Sequence, residues 1–187
     1  MMPGLDRRPT GPLPTGIEIR QLGVDDFPAV RYLHGTVLRA DTADALTEAE
    51  IAAFTRLVNS PAYSDLLREE NEIFSAWLGG ELLGTAAWRI NADDGTQARI
   101  GFVFARHPGF GIGSRLLAEA EARALAWGFD RLTSFTTLNA VGFFQKRGYG
   151  VVSRGVKVFS TECALPVAFL SKRLARRQRS SAPAHTH

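Results

Sequence analysis

Val103-Phe104-Ala105-Arg106-His107-Pro108-Gly109-Phe110-Gly111-Ile112-Gly113-Ser114 is the stretch that decides how this chain is read. Before it, Ala98 to Ala105 has the character of a strand. After it, Gly111 to Trp127 places Ile112, Leu116, Ala120 and Trp127 on one side of a helix, with Gly128 suited to cap its end. The glycines between let the main chain come close to a ligand and aim free amides outward, and the helix start adds its dipole. A diphosphate needs no lysine at such a turn. The same glycines also suit a plain strand-to-helix turn, and the loop alone supports both readings. It is not a P-loop, because no Gly-Lys-Ser or Gly-Lys-Thr follows. Nor is it a dinucleotide fingerprint, which opens its domain, whereas roughly a hundred residues precede this turn.

Working toward the N-terminus, Glu81 to Ile90 and Ile73 to Leu78 flank Gly79-Gly80 and read as a hairpin, with Asn91 to Gln97 a polar loop. Upstream, Ala40 to Glu72 keeps a helical pattern with Leu46, Ile51, Phe54 and Leu57 on one face. Pro61 separates off a short helix containing Leu66 and Leu67. Val30, Leu33, Val37 and Leu38 stripe a first helix begun by Asp25, Asp26 and Pro28, and Ile17 to Leu22 alternates as a strand. Toward the C-terminus, Arg131 to Leu138 reads as a strand and Asn139 to Arg147 as a short helix. Tyr149 to Phe159 and Pro166 to Leu170 are two further strands. Strand, helix, strand around the glycine turn predicts an α/β (α+β mixed) domain whose sheet contains at least one parallel pair.

The chain has 187 residues and 20.4 kDa, with 45% hydrophobic and 22% charged residues. That suits one domain and excludes wholesale disorder. The expected division is a flexible leader over 1–16, rich in proline, one domain over 17–174, and a disordered basic tail over 175–187. Five of the 22 Lys and Arg are Lys172, Arg173, Arg176, Arg177 and Arg179; setting them aside leaves 17 bases against 19 acids. The basic balance therefore belongs to the chain's end, and a nucleic-acid-binding face on the body is not expected. No stretch approaches a membrane span or a signal peptide. Cys163 is the only cysteine, which excludes an intrachain disulfide and fits a reducing cytosol. The four scattered histidines predict no metal site.

A second constellation lies downstream: Thr136-Thr137-Leu138-Asn139-Ala140-Val141-Gly142-Phe143-Phe144-Gln145-Lys146-Arg147-Gly148-Tyr149. Together with Gly109 to Leu117, it resembles the GCN5-related N-acetyltransferase (GNAT) superfamily, over about Ile17 to Leu174. The resemblance implies a single domain with a mostly antiparallel central sheet, one parallel strand pair that splays apart, and flanking helices. It also implies N-acetyl transfer from acetyl-CoA to an amine acceptor, a small molecule or peptide, by direct attack. Carried over residue by residue, it assigns Gly109, Phe110, Gly111, Ile112, Gly113 and Ser114 to the cofactor's diphosphate, and the backbone of Phe102 and Val103 to its pantetheine arm. Asn139 matches an asparagine near that arm, but equally suits an N-cap of the short helix. Phe144 stands in the segment that flanks the thioester, while Phe143 and Tyr149 read as core.

Three positions depart from the family pattern. Pro108 replaces an Arg or Gln at the start of the turn and lacks an N–H. Phe144 replaces a tyrosine that many members use to protonate departing CoA. Arg99 stands where many carry an acid, so the catalytic acid and base are unassigned. A thiol near pKa 8.5 leaves without much help, but an amine near pKa 10.4 is neutral only about one part in a thousand at pH 7.4, worth ~4 kcal/mol. Losing the base is the graver loss, unless the acceptor is an α-amine near pKa 8 or water carries the proton away.

Eight acids, Asp41, Asp44, Glu48, Glu50, Asp65, Glu69, Glu70 and Glu72, meet only Arg56 and Arg68 between residues 40 and 72. The simpler reading is a solvated helix face; the sharper one is attraction of a cationic acceptor. Two rivals to catalysis stay open: a silent acyl-CoA-binding sensor, and a protein-interaction module built on the acidic helices. A homodimer is also open.

Overall fold

The computed structural model describes residues 15–175. Strand β1 (Glu18–Gln21) leads through a 3-10 turn at Val24–Asp26 into α1 (Phe27–Asp41). The Asp26 carboxylate fixes that entry, accepting from Gly23 N–H at 2.9 Å and from the Arg20 guanidinium at 2.8 and 2.9 Å. Pro28 is harmless in the first helical turn, where no N–H is needed. Helix α2 (Glu48–Val58) opens on a capping box. Thr47 N–H donates to Glu50 Oε2 at 2.8 Å, and Glu50 N–H to Thr47 Oγ1 at 3.2 Å. Pro61 starts α3 (Pro61–Arg68), as its position in the sequence predicts.

Next come β2 (Glu72–Leu78), β3 (Glu81–Ile90), β4 (Ala98–Ala105), α4 (Ile112–Ala126), β5 (Arg131–Thr137), a 3-10 turn at Leu138–Ala140, α5 (Val141–Gln145), β6 (Gly150–Ser160) and β7 (Cys163–Arg173). They form one seven-stranded sheet in the order β1-β2-β3-β4-β5-β7-β6. Every neighbouring pair is antiparallel except β4 and β5. Helices α4 and α5 cover one face around Trp88, Ile100, Leu116 and Leu132; α1 to α3 cover the other around Leu33, Phe54, Tyr63 and Leu165.

The parallel pair is short. Its register runs only through Ala98↔Leu132, Arg99↔Thr133 and Ile100↔Ser134. Beyond Ile100, β4 bulges against β3, where the register slips between Thr85 and Ala87 and Phe102 takes a φ of 49°. Such a backbone is costly for a phenylalanine and persists only where its surroundings hold it. The Thr85 hydroxyl does so, donating to the Phe102 carbonyl at 2.6 Å. The strand ends thus part, leaving the β5-facing side of Gly101 to Phe104 without ladder partners.

Several expectations need correction. Trp127, placed by spacing on one side of α4 with Ile112, Leu116 and Ala120, is the residue just past the helix end; its ring stands 5.8 Å from that of Trp88 but is 64% exposed, and Gly128 turns the chain there with φ 97°. Strand β7 begins at Cys163 instead of Pro166. The proline is tolerated because β7 pairs there only with β6, its pairing with β5 starting at Val167↔Thr137. Lys172 and Arg173, grouped by composition with the basic tail, lie in β7, where Lys172 donates to Glu121 at 2.7 and 2.9 Å. Residues 176–187 of the tail, and all but the last two residues of the leader, fall outside the described residues. Among the described residues, no helix is long and apolar enough to cross a membrane.

Candidate active site

A cavity of about 870 Å³ runs through the parted ends of β4 and β5, bordered by residues from both faces of the sheet. Its two ends differ in construction.

On the α4 face the wall is a turn. Gly109 and Gly111 sit at φ 100° and 77°, with open space where a side chain would project. Their need for glycine is therefore conformational. At Gly113 a Cβ would make ordinary contact, 3.4 Å from the Phe143 ring and 3.5 Å from Ala105 Cβ, so the helix start packs closely there without requiring glycine. The first turn of α4 leaves the amides of Ile112, Gly113 and Ser114 without helical acceptors. Lys146 and Arg147 border this end of the cavity. Arg147 packs its guanidinium 3.7 Å over the Phe143 ring, donates to the Phe143 carbonyl at 2.7 Å and reaches the Ser114 hydroxyl. Sequence reasoning passed over these two cations, although both stand in the second constellation.

Between the ends lies a chain of buried hydrogen bonds. Thr85 uses its one proton on the Phe102 carbonyl, so its oxygen accepts from His34 Nε2–H at 2.7 Å; Nδ1 of His34 then accepts from the Tyr63 hydroxyl at 2.7 Å. Burial pushes the His34 pKa down to about 3, so the ring stays neutral, stacked 4.0 Å from Phe104 and 5.7 Å from Phe102. This chain fixes the bulge that opens the cavity. Neither residue pattern nor spacing announces it, since His34 lies 51 residues from Thr85.

On the α1–α3 face the wall is made of side chains. Phe54, Tyr63, Leu66, Phe135, Phe159 and Val167 line an apolar chamber, with Glu69, Arg89, Arg99 and Lys157 among them. Arg99, which occupies the family's usual acid position, donates to buried Glu70 at 2.6 Å. Burial pushes the Glu70 carboxyl up and the Arg99 guanidinium down, and their mutual attraction opposes both shifts. Arg89 pairs with Glu69 at 2.5 Å. Two carboxylates, Asp41 and Glu69, border the cavity. Glu69 is engaged, whereas the Asp41 carboxylate makes no ion pair or side-chain hydrogen bond among the described residues, and partial burial raises its pKa.

The predicted site residues mostly meet here. Phe102, Val103, Gly109, Gly111, Ile112, Gly113, Ser114, Asn139 and Phe144 all border the cavity, whereas Phe110 does not; its ring is 55% exposed beside His107. Phe144 is 3% exposed and packs edge-on to Phe143 and Tyr149. Asn139 is no N-cap. It lies inside the 3-10 turn, and its amide donates at 2.7 Å to the Asp41 carbonyl, tying the end of α1 to the end of β5. The Phe102 carbonyl is turned toward β3 by Thr85. Cys163 is buried, and burial raises its thiol pKa, which opposes a nucleophilic role. The acidic segment does not line the cleft as a block. Of its eight acids only Asp41 and Glu69 border it, while Glu50 caps α2, Asp65 pairs with Arg68 at 2.8 Å, and Glu72 lies 3.2 Å from Arg123. Among the described residues there is no group of three or more His, Cys, Asp or Glu side chains able to hold a metal ion.

Fold and site together define a class: a single-domain α/β transferase whose sheet unzips at one parallel pair beside a glycine turn. The chain superposes on a GCN5-related N-acetyltransferase from Rhodopseudomonas palustris with a TM-score of 0.74, at 23% identity over 86% of this chain and 97% of that one. PaiA N-acetyltransferase from Thermoplasma acidophilum, solved with coenzyme A, gives 0.60 at 21% identity over 84% and 98%. N-acetylglutamate synthase from Neisseria gonorrhoeae, solved with coenzyme A and L-arginine, gives 0.58 at 21% identity over 86% of this chain and 34% of that one. Curated proteins provide no match. The acetyltransferase (GNAT) family model matches residues 39–149, and the chain belongs to that family as an N-acetyltransferase.

Proposed function

We propose that this chain moves the acetyl group of acetyl-CoA onto a primary amine by direct attack, in the cavity between β4 and β5. One observation carries the reading: a turn of positive-φ glycines opens at the mouth of an unzipped parallel pair. The residues fit the diphosphate of CoA. Gly109 and Gly111 leave open the space a side chain would fill, and the cations at this end, Lys146 and Arg147, have no acid among the glycine-turn residues to compete with an anion. The amides of Ile112, Gly113 and Ser114 would hold it, aided by the helix dipole. Pro108 removes one donor and leaves these in place. The unpartnered edge of Gly101 to Phe104 would hold the extended arm. Bound acetyl-CoA supplies the acetyl group as a thioester.

For the chain's own residues the task is the amine's proton. Phe144 carries none and Arg99 is committed to Glu70, so neither usual group serves. Asp41 fits best as proton acceptor. Asn139 fixes its backbone next to the end of β5, its side chain makes no ion pair among the described residues, and desolvation raises its pKa above the usual aspartate value, which makes it a better base. The ~4 kcal/mol cost of deprotonating a lysine-like amine falls when the acceptor's pKa lies nearer 8. The buried single cysteine suits a reducing cytosol.

The rival is a silent sensor that binds acyl-CoA without turnover, favoured by Phe144 and Arg99. Calorimetry with acetyl-CoA followed by thiol release on a panel of amines separates the two. Heat of binding with thiol release supports the enzyme; heat without release on any amine supports the sensor; no heat removes both.

A further inference from the structure

On the α1–α3 face one cation of the chamber stands without a direct counter-ion among the described residues. Arg89 and Arg99 have Glu69 and Glu70 as counter-ions. Lys157 has none among the described residues; its ammonium stands 5.5 Å from the centroid of the Phe135 ring. The Arg99 guanidinium lies 5.7 Å from the same centroid, with a buried Nε that finds no acceptor. Both cations thus flank one aromatic ring, and Phe159, Leu165 and Val167 line the same cavity. A half-buried ammonium beside apolar walls loses hydration, and an incoming anion offsets that loss. The same walls favour an apolar or aromatic body on whatever carries the anion.

We propose that the acceptor is a small amine bearing a carboxylate and an apolar or aromatic side group, its carboxylate held by Lys157 beside the Phe135 ring and its amine directed to the parted strand ends. This rests on the acetyl-transfer reading above and specifies its substrate class. Across the reaction, a C–N bond forms as the thioester C–S bond breaks; the amine gives up one proton and the departing sulfur recovers one, leaving an N-acetyl amino acid and CoA. The acidic 40–72 segment does not oppose such a substrate, because most of its carboxylates face away from the cavity or are already paired.

The test compares apolar and aromatic α-amino acids with their carboxamides, using the full chain, acetyl-CoA and thiol release. The carboxamide amine is the less basic of each pair, so chemistry alone favours the amide, and a preference for the acid reports recognition. The expected result is kcat/KM at least about tenfold higher for acids, expressed mainly in KM. Lys157→Met should narrow that ratio to about twofold or less, whereas Lys157→Arg should preserve it. Equal or better use of the amides overturns the proposal, as does a Lys157→Met variant that keeps the ratio. If acetyl-CoA binds but none of the acids is acetylated, the proposal falls while the cofactor site stands; if acetyl-CoA does not bind, the underlying reading has failed instead.

Discussion

The two ends of the cavity are made of different material. At the α4 end a single turn, Gly109 to Ser114, presents main-chain amides, and side chains matter mainly by being absent. At the α1–α3 end the wall is assembled from side chains on α2, α3, β3, β4, β5, β6 and β7. A backbone wall tolerates change: Pro108 and Phe144 depart from the family pattern, yet the geometry of the turn survives. A side-chain wall does not. Arg99 in place of an acid forces Glu70 to become its partner and alters the charge of the whole chamber. Under the proposed function, binding the cofactor and choosing the acceptor are thus separable properties of one cavity.

That separation can be broken or sharpened by substitution. Asp41→Asn should have the largest effect, lowering kcat by on the order of 100-fold while leaving acetyl-CoA affinity within about twofold. Because the deprotonated carboxylate is the active form, wild-type rate should fall as pH drops through its raised pKa, and the variant should lose that limb. An unchanged pH–rate profile removes Asp41 from the proton path.

His34→Leu comes next, because it leaves the Tyr63 and Thr85 hydroxyls unpaired and releases the bulge. A loss of about 2 kcal/mol in urea unfolding is expected. The wild-type protein also carries a pH signature. Burial pushes the folded-state His34 pKa down to about 3, from an ordinary imidazole value of 6.5. Its contribution is therefore complete above pH 6.5 and is lost as pH falls, at up to about 1.4 kcal/mol per pH unit. The variant should flatten that slope, and an unaltered slope would mean another group causes it.

Gly111→Val forces a β-branched residue to φ 77° and should weaken acetyl-CoA about tenfold by calorimetry, from a strain of roughly 1–2 kcal/mol, with acceptor KM nearly unmoved. The smallest effect belongs to Asp44→Asn with Glu48→Gln. Neither side chain borders the cavity, so acceptor KM should stay within about twofold. A larger rise would restore long-range attraction of a cationic acceptor.

The contrast between the ends also explains what the sequence could disclose. The glycine turn is contiguous, and each of its features, left-handed glycines and a helix start, follows from residue type in order. The hairpin at Gly79-Gly80 and the start of α1, with Pro28 in its first turn, were legible for the same reason. The chamber was not. His34 meets Thr85, Asn139 meets Asp41 and Arg99 meets Glu70 across separations of 51, 98 and 29 residues, and nothing local marks those pairings. Asp41 was visible only as one acid among eight; its position beside β5 depends on a hydrogen bond between side chain and backbone. Trp127 misled for the opposite reason, since helical spacing continued one residue past the point where the helix stops.

Three residue pairs are all that join β4 to β5. From Ile100 onward the sheet is a zipper stopped partway, and the stop is set by one hydroxyl gripping one carbonyl. The free selvage from Gly101 to Phe104 has a fixed length, between the last closed tooth and the glycine turn. Under the proposed function that edge therefore acts as a ruler for the extended arm of the cofactor.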